Sequence, residues 1–190
     1  MKNVTQIRWH GRGGQGVKVA SSLLAECALE EGKWAQGFPD YGPERRGAPI
    51  RGFNRISDER IDLHCPIAEP DVVLVVDDTL IRKIDVCAGL GKEGICIINT
   101  PCDPSVARAK LKMNGGKVFT VDATRISREV LGRPVPNTAM MGALCKATGV
   151  LKLDTLIKQG GKIFEKKYGK AVADKNVEAI RRAYAEVKGE

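Results

Sequence analysis

The sequence predicts an α/β fold: a mainly parallel sheet flanked by helices, with an inserted β-hairpin and a helical C-terminal tail. Three observations predict it. Apolar strand-like runs such as "DVVLVVDD" alternate with helix-period segments over about the first 135 residues. A glycine turn, "HGRGGQG", lies between the first strand and the first helix. After Pro136 the pattern becomes wholly helical. A length of 190 residues suits one domain, so residues 1–190 are read as a single unit, with an α/β portion at about 1–135 and a helical portion at about 136–190.

Each element follows from local chemistry. "VTQIRWH", residues 4–10, forms the first strand. Gln15 to Glu31 forms a helix whose apolar residues Val17, Ala20, Leu24, Cys27 and Ala28 recur at helical spacing, and Gly32 ends it. "KWAQGF" is a second, weaker strand, and "PDYGPERRGAP", residues 39–49, is a loop by its prolines and glycines. "IRGFNRI" and "RIDLHC" are expected to pair as the hairpin across "SDE". "DVVLVVDD" has the continuous apolar character of a strand buried on both faces. A helix over about Thr79 to Ala88, the strand "GICIINT" and a helix opening at Asp103-Pro104 come next. "KVFTVDA" is a strand and "TRISREVLG" a helix. The tail then supplies a helix capped by Asn137 and two charged helices over about Asp154–Tyr168 and Val172–Lys188.

Composition narrows the function classes. Hydrophobic residues make up 43% and aromatic residues 5%, so the core is aliphatic. No apolar run approaches a membrane span, and the N-terminal residues lack the apolar centre of a signal peptide, so a cytoplasmic protein with no membrane contact is expected. The six cysteines include no C-x-x-C pair; they read as small core residues, and no metal site is expected. A net charge of +8 suits nucleic acid, a membrane surface, an acidic partner subunit or a polyanionic ligand. Nucleic acid is disfavoured because aromatic residues do not interleave with the basic ones.

The sharpest motif is Gly11-Arg12-Gly13-Gly14-Gln15-Gly16. Glycines between a strand and a helix let backbone N–H groups approach an anion at the positive end of the helix dipole. A turn needed only for strand–helix packing is the plainer alternative. A nicotinamide dinucleotide also requires an acidic residue about 20 residues on, after the second strand. Asp40 has that spacing but lies in the Pro/Gly loop just before Arg45 and Arg46. Those adjacent arginines, between Pro43 and Pro49, offer fork-shaped donors to a ligand or a partner, unless Glu44 or another acid pairs with them. "PNTAMMGAL" is the third constellation: Asn137 and Thr138 open a helix either as a simple cap or facing the same pocket, and Met140 and Met141 read as core. His10 and His64 belong to no visible triad; Asp77-Asp78 sit at the C-terminal end of a strand, where α/β ligand sites lie, and could bind a cation, but Asp78 is also an ordinary helix cap.

"IRWHGRGGQGVK", "QGFPDYGPERRGAPIRGFNRI", "PDVVLVVDDTL" and "VPNTAMMGAL", in this order, resemble the gamma subunits of the 2-oxoacid:ferredoxin oxidoreductases over nearly the whole chain. The resemblance is nearest to members acting on pyruvate, with "PNTAMMGAL" as the cue. Subunits for 2-oxoisovalerate or 2-oxoglutarate are the alternative, and a free-standing NAD(P)-binding oxidoreductase is a more distant one. It implies a complex that converts pyruvate, coenzyme A and oxidised ferredoxin to acetyl-CoA, CO2 and reduced ferredoxin. It further implies that thiamine diphosphate, Mg and [4Fe-4S] clusters reside on partner alpha, beta and delta subunits and that none is bound by this chain. The gamma piece would contribute to coenzyme A binding. On that resemblance Gly11, Arg12, Gly13, Gly14, Gln15 and Gly16, Arg45 and Arg46, and Asn137 and Thr138 are expected to line the coenzyme A site, with no catalytic residue on this chain.

Overall fold

Strand β1 (Val4–Arg12) runs through the middle of the sheet and separates two kinds of chemistry. Alternation along the strand sends Ile7 and Trp9 into the larger apolar core and Arg8 and His10 to the opposite face, where both are also buried. The structure, a computed structural model, describes residues 4–40, 47–113 and 115–190.

Among those residues one sheet has the order β2-β3-β1-β4-β5-β6-β7. The strands β1, β4 (Val72–Val75), β5 (Ile95–Asn99) and β6 (Lys117–Val121) are mutually parallel and form its centre. On one side β3 (Pro49–Ser57) pairs antiparallel with β1 and with β2 (Trp34–Pro39). On the other edge the two residues of β7 (Lys188–Gly189) pair antiparallel with β6. The α/β class read from the sequence is therefore the fold observed.

The hairpin is present, but its strands are β2 and β3. Residues 60–65, expected to be the second strand, form no strand. The reason is the buried guanidinium of Arg55 on β3: it donates to the carbonyls of Leu63 and Cys65, turning that backbone toward a charge and away from a ladder. The helix expected over about 79–88 shortens to a 3-10 turn at Asp78–Arg82 for a related reason. Beyond it, the carbonyls of Val86 and Ala88 turn inward to the guanidinium of Arg8, which also donates to Ala68.

The helices form unequal layers. One face of the sheet carries α1 (Val17–Glu30), α3 (Ala123–Leu131) and α4 (Asn137–Thr148), with α5 (Leu153–Tyr168) and α6 (Lys170–Glu186) packed outside them. Helix α4 is buried from Asn137 through Cys145, which explains why its sequence is apolar on every side. Gly142 is required there: a Cβ would lie 2.2 Å from the Ile180 carbonyl oxygen of α6. The opposite face is covered more thinly, by the 3-10 turn, the segment after it and the short α2 (Pro104–Arg108) around Leu80, Val86, Cys87, Cys96 and Ala107.

Candidate ligand site

The chain leaves β1 and crosses by α1 on one face, whereas β4 leads to the 3-10 turn on the other. A crevice at such a reversal, outside the carboxyl ends of parallel strands, is where ligands of α/β sheets bind. The glycine turn lies there. Gly14 (φ 97°) and Gly16 (φ 79°) take left-handed conformations that only glycine enters without strain. A Cβ on Gly11 would meet Val17 Cγ2 at 2.6 Å, so that glycine lets the turn close over α1. No side chain caps α1, its first turn holds no acidic residue, and Lys18 in that turn is exposed. This is a positive helix end open to an anion.

Two side chains of the turn are already engaged. Arg12 Nε donates to Asp77 Oδ2 at 3.1 Å, and another Arg12 nitrogen donates to Thr79 Oγ1 at 2.8 Å. Gln15 Nε2 donates to the same Asp77 oxygen at 2.7 Å, while Gln15 Oε1 accepts from the Arg12 backbone N–H at 2.7 Å. Asp77 also accepts from the Thr79 N–H and so caps the 3-10 turn, the role expected of Asp78. Burial alone would raise the Asp77 pKa, but the bonds from Thr79 and Gln15 and the charge of Arg12 together hold it below its ordinary value. Arg12 and Gln15 thus tie the turn to the end of β4.

The other two motifs meet the same turn. Gly13 N–H donates to the Ala48 carbonyl at 2.9 Å, and Gly47 N–H donates to the Gly13 carbonyl at 3.0 Å. Arg45 and Arg46 lie outside the described residues, but the chain that carries them joins the glycine turn at Gly47. Asn137 does not cap α4: that position is Pro136, and the Asn137 Nδ2 instead donates to the Gly16 carbonyl at 3.2 Å. Thr138 is buried one residue further in, and its hydroxyl donates to Asn176 of α6 at 2.9 Å. Asn137 therefore reaches the turn, while Thr138 joins α4 to α6.

Asp40, the residue spaced for a dinucleotide ribose, ends up elsewhere. Its carboxylate accepts from Arg51 at 2.8 Å, and β2, which it follows, is separated from β1 by β3. Two strand spacings, about 10 Å, divide the pair that the dinucleotide fingerprint needs as neighbours.

Sequence reasoning passed over Arg8 and treated His10 only as a triad candidate. Arg8 Nε donates to His10 Nε2 at 3.1 Å, which fixes the imidazole as the neutral tautomer with its proton on Nδ1. Burial first, then the charges of Arg8 and Arg51, bring the His10 pKa down to about 4. His64, the other histidine, is exposed. Among the described residues no group of three or more His, Cys, Asp or Glu side chains is placed to hold a metal ion. No described helix is long and apolar enough to cross a membrane.

An uncapped helix end and a glycine turn at the reversal of a mixed sheet with a parallel centre define an α/β domain of the class whose ligands bind beside a helix N-terminus. A family model described as pyruvate ferredoxin/flavodoxin oxidoreductase matches residues 6–186, and the chain belongs to that family. Pyruvate synthase subunit PorC of Thermotoga maritima is 48% identical over 187 residues, 98% of this chain and 96% of that one. The pyruvate/ketoisovalerate oxidoreductases common subunit gamma of Thermococcus kodakarensis is 45% identical over 179 residues, 94% of this chain and 95% of that one. The crystal structure of pyruvate oxidoreductase subunit PORC from Thermotoga maritima matches with a TM-score of 0.88 and 45% identity, covering 100% of this chain and 99% of that chain.

Proposed function

We propose that the chain is the gamma subunit of a cytoplasmic pyruvate:ferredoxin oxidoreductase and holds the nucleotide end of coenzyme A. The carrying observation is the convergence on one turn: Gly47, following the arginine loop, bonds to Gly13, and Asn137 bonds to Gly16. The ends of three segments far apart in sequence meet beside the open end of α1. Coenzyme A carries a pyrophosphate and a 3′-phosphate, which suit backbone N–H donors at a helix end and the fork-shaped donors of Arg45 and Arg46.

In this reading thiamine diphosphate, Mg and [4Fe-4S] clusters belong to alpha, beta and delta subunits and supply the carbanion and electron-transfer chemistry, with ferredoxin as acceptor. This chain's part is positioning. The backbone N–H groups of Gly14 and Gly16 face the phosphates, Arg12 and Gln15 hold the turn's shape through Asp77, and Asn137 fixes its far end. Holding a reactant in register is worth on the order of 7 kcal/mol at the lower end for well-oriented reactions. The dinucleotide alternative is disfavoured by β3 lying between β1 and β2 and by Asp40 being paired with Arg51.

The test is reconstitution of the complete complex with Arg45→Ala and Arg46→Ala together, followed by pyruvate-dependent ferredoxin reduction across coenzyme A concentrations. A raised KM for coenzyme A is expected. Unchanged KM and turnover would remove the arginines from the site, and loss of the subunit on size-exclusion chromatography would assign them to docking instead.

A further inference from the structure

Away from the glycine turn, the thinly covered face of the sheet holds two thiols in contact. Cys87, in the segment after the 3-10 turn, and Cys96, the second residue of β5, have their Sγ atoms 3.8 Å apart. Both are free and buried, and they lie nine positions apart in sequence. A disulfide needs about 2.05 Å between sulfurs, so roughly 2 Å of approach separates the observed pair from a bond. The two sides differ in their freedom to move. Cys96 is fixed in the ladder between β4 and β6, whereas Cys87 lies in a stretch of single turns. With the Val86 and Ala88 carbonyls held by Arg8, the approach comes from rotation of the two Cβ–Sγ arms with a small shift of the turn around Cys87.

We infer that Cys87 and Cys96 form a reversible redox pair, a modification site that closes to a disulfide when a peroxide or a small disulfide reaches this face. The surroundings give the two sulfurs separate roles. Cys87 retains 5% exposure and Cys96 none, so Cys87 meets the oxidant first. The hydrogen bond with Cys96, helped by the charge of nearby Arg8, favours the Cys87 thiolate against its burial and the carboxylate of Asp85, while the same hydrogen bond and burial keep the proton on Cys96. The Arg8 guanidinium is satisfied by backbone carbonyls and His10 and lies beside Cys87 as a buried cation.

The chemistry balances in two steps. The Cys87 thiolate attacks a peroxide oxygen, the O–O bond breaks, and Cys87 becomes a sulfenic acid as hydroxide or alkoxide leaves. The Cys96 sulfur then attacks Cys87, the S–O bond breaks, and water leaves with the Cys96 proton. With a disulfide oxidant, two exchanges give the same product and release two thiols. The bond draws the 85–88 segment toward β5. That segment's carbonyls hold Arg8, and Arg8 holds His10, the residue before the glycine turn.

The experiment oxidises the reduced full-length chain under native conditions with hydrogen peroxide, alkylates the remaining thiols and maps peptides by mass. A Cys87–Cys96 cross-linked peptide, reversed by dithiothreitol, is expected. Exposed Cys65 reports in the same sample that oxidant was delivered. Cys96→Ser should convert the outcome to trapped Cys87 sulfenic acid, detected with dimedone. If Cys87 and Cys96 both stay fully alkylatable while Cys65 is consumed, or cross-link only after unfolding in urea, the inference is overturned.

Discussion

Arg12 and Asp77 lie 65 residues apart in sequence and 3.1 Å apart in the fold, joining the glycine turn to the end of β4. Their side chains are largely shielded, at 21% and 14% exposure, and Gln15 shares the same carboxylate oxygen. Asp77→Ala leaves two donors of the turn without their acceptor and should cost about 1–3 kcal/mol in urea unfolding. Because the folded-state pKa of Asp77 is depressed, its contribution is complete above the unfolded carboxylate pKa and disappears as pH falls through the lower folded value. Asp77→Asn should remove that acid-side loss. An Asn variant with wild-type stability and the wild-type acid slope would show that the bond contributes nothing.

His10 gives a pH dependence in a different window. Its pKa falls from 6.5 to about 4 on folding. Between those values the unfolded chain takes up a proton that the folded chain refuses, so stability falls as pH is lowered through the window and levels off below it. The total is on the order of 3 kcal/mol. The difference between stability curves of the wild type and His10→Gln, measured from pH 7 to pH 4, isolates this term. Parallel curves would contradict it.

Gly16 and Asn137 can be tested as a pair. A Cβ on Gly16 would sit 2.5 Å from Asn137 Nδ2, and the backbone there has φ +79°. Gly16→Ala should therefore destabilise by about 2 kcal/mol, combining backbone strain with a clash. Adding Asn137→Ala removes the clash and leaves the strain, so the double variant should be more stable than the sum of the singles predicts. Strict additivity by chemical denaturation would show that the contact is not felt.

Gly142→Ala probes the attachment of the tail. The new methyl would meet the Ile180 carbonyl oxygen at 2.2 Å, and two helix backbones must part to admit it. A loss of about 3 kcal/mol is expected, with faster amide exchange in α6 than in β4. Wild-type thermal stability in this variant would place α6 further from α4 than the structure does.

What was legible in the sequence was what periodicity and glycine chemistry encode. The apolar run of β4, the stripe of α1 and the three all-helical segments after Pro136 all appear near their expected bounds. What was not legible came from buried arginines. Ile61, Leu63 and Cys65 alternate like a strand, yet Arg55 takes the carbonyls of Leu63 and Cys65. Val86 and Ala88 read as helix, yet Arg8 takes theirs. No local pattern announces which backbone a distant guanidinium will claim. The candidate site shows the same division. The glycines, Asn137 and the strand end carrying Asp77 are legible in the sequence, but the pairing of Asp77 with Arg12 and Gln15 is not, because the partners are more than 60 positions apart. Arg45 and Arg46 lie outside the described residues, so their expectation rests on the resemblance and on Gly47.

The stitching of the glycine turn also bears on how the chain acquires its native state. The turn's few residues are held by contacts to Gly47 and Ala48, to Asp77 and to Asn137, the last spanning 121 positions. Local propensity can start α1 early, but closing such long loops is entropically slow. The native shape of the turn is then a late event, complete only after α4 has docked on the sheet. A nascent or truncated chain would display the motif's letters without its geometry, which would arrive only with a contact spanning 121 positions.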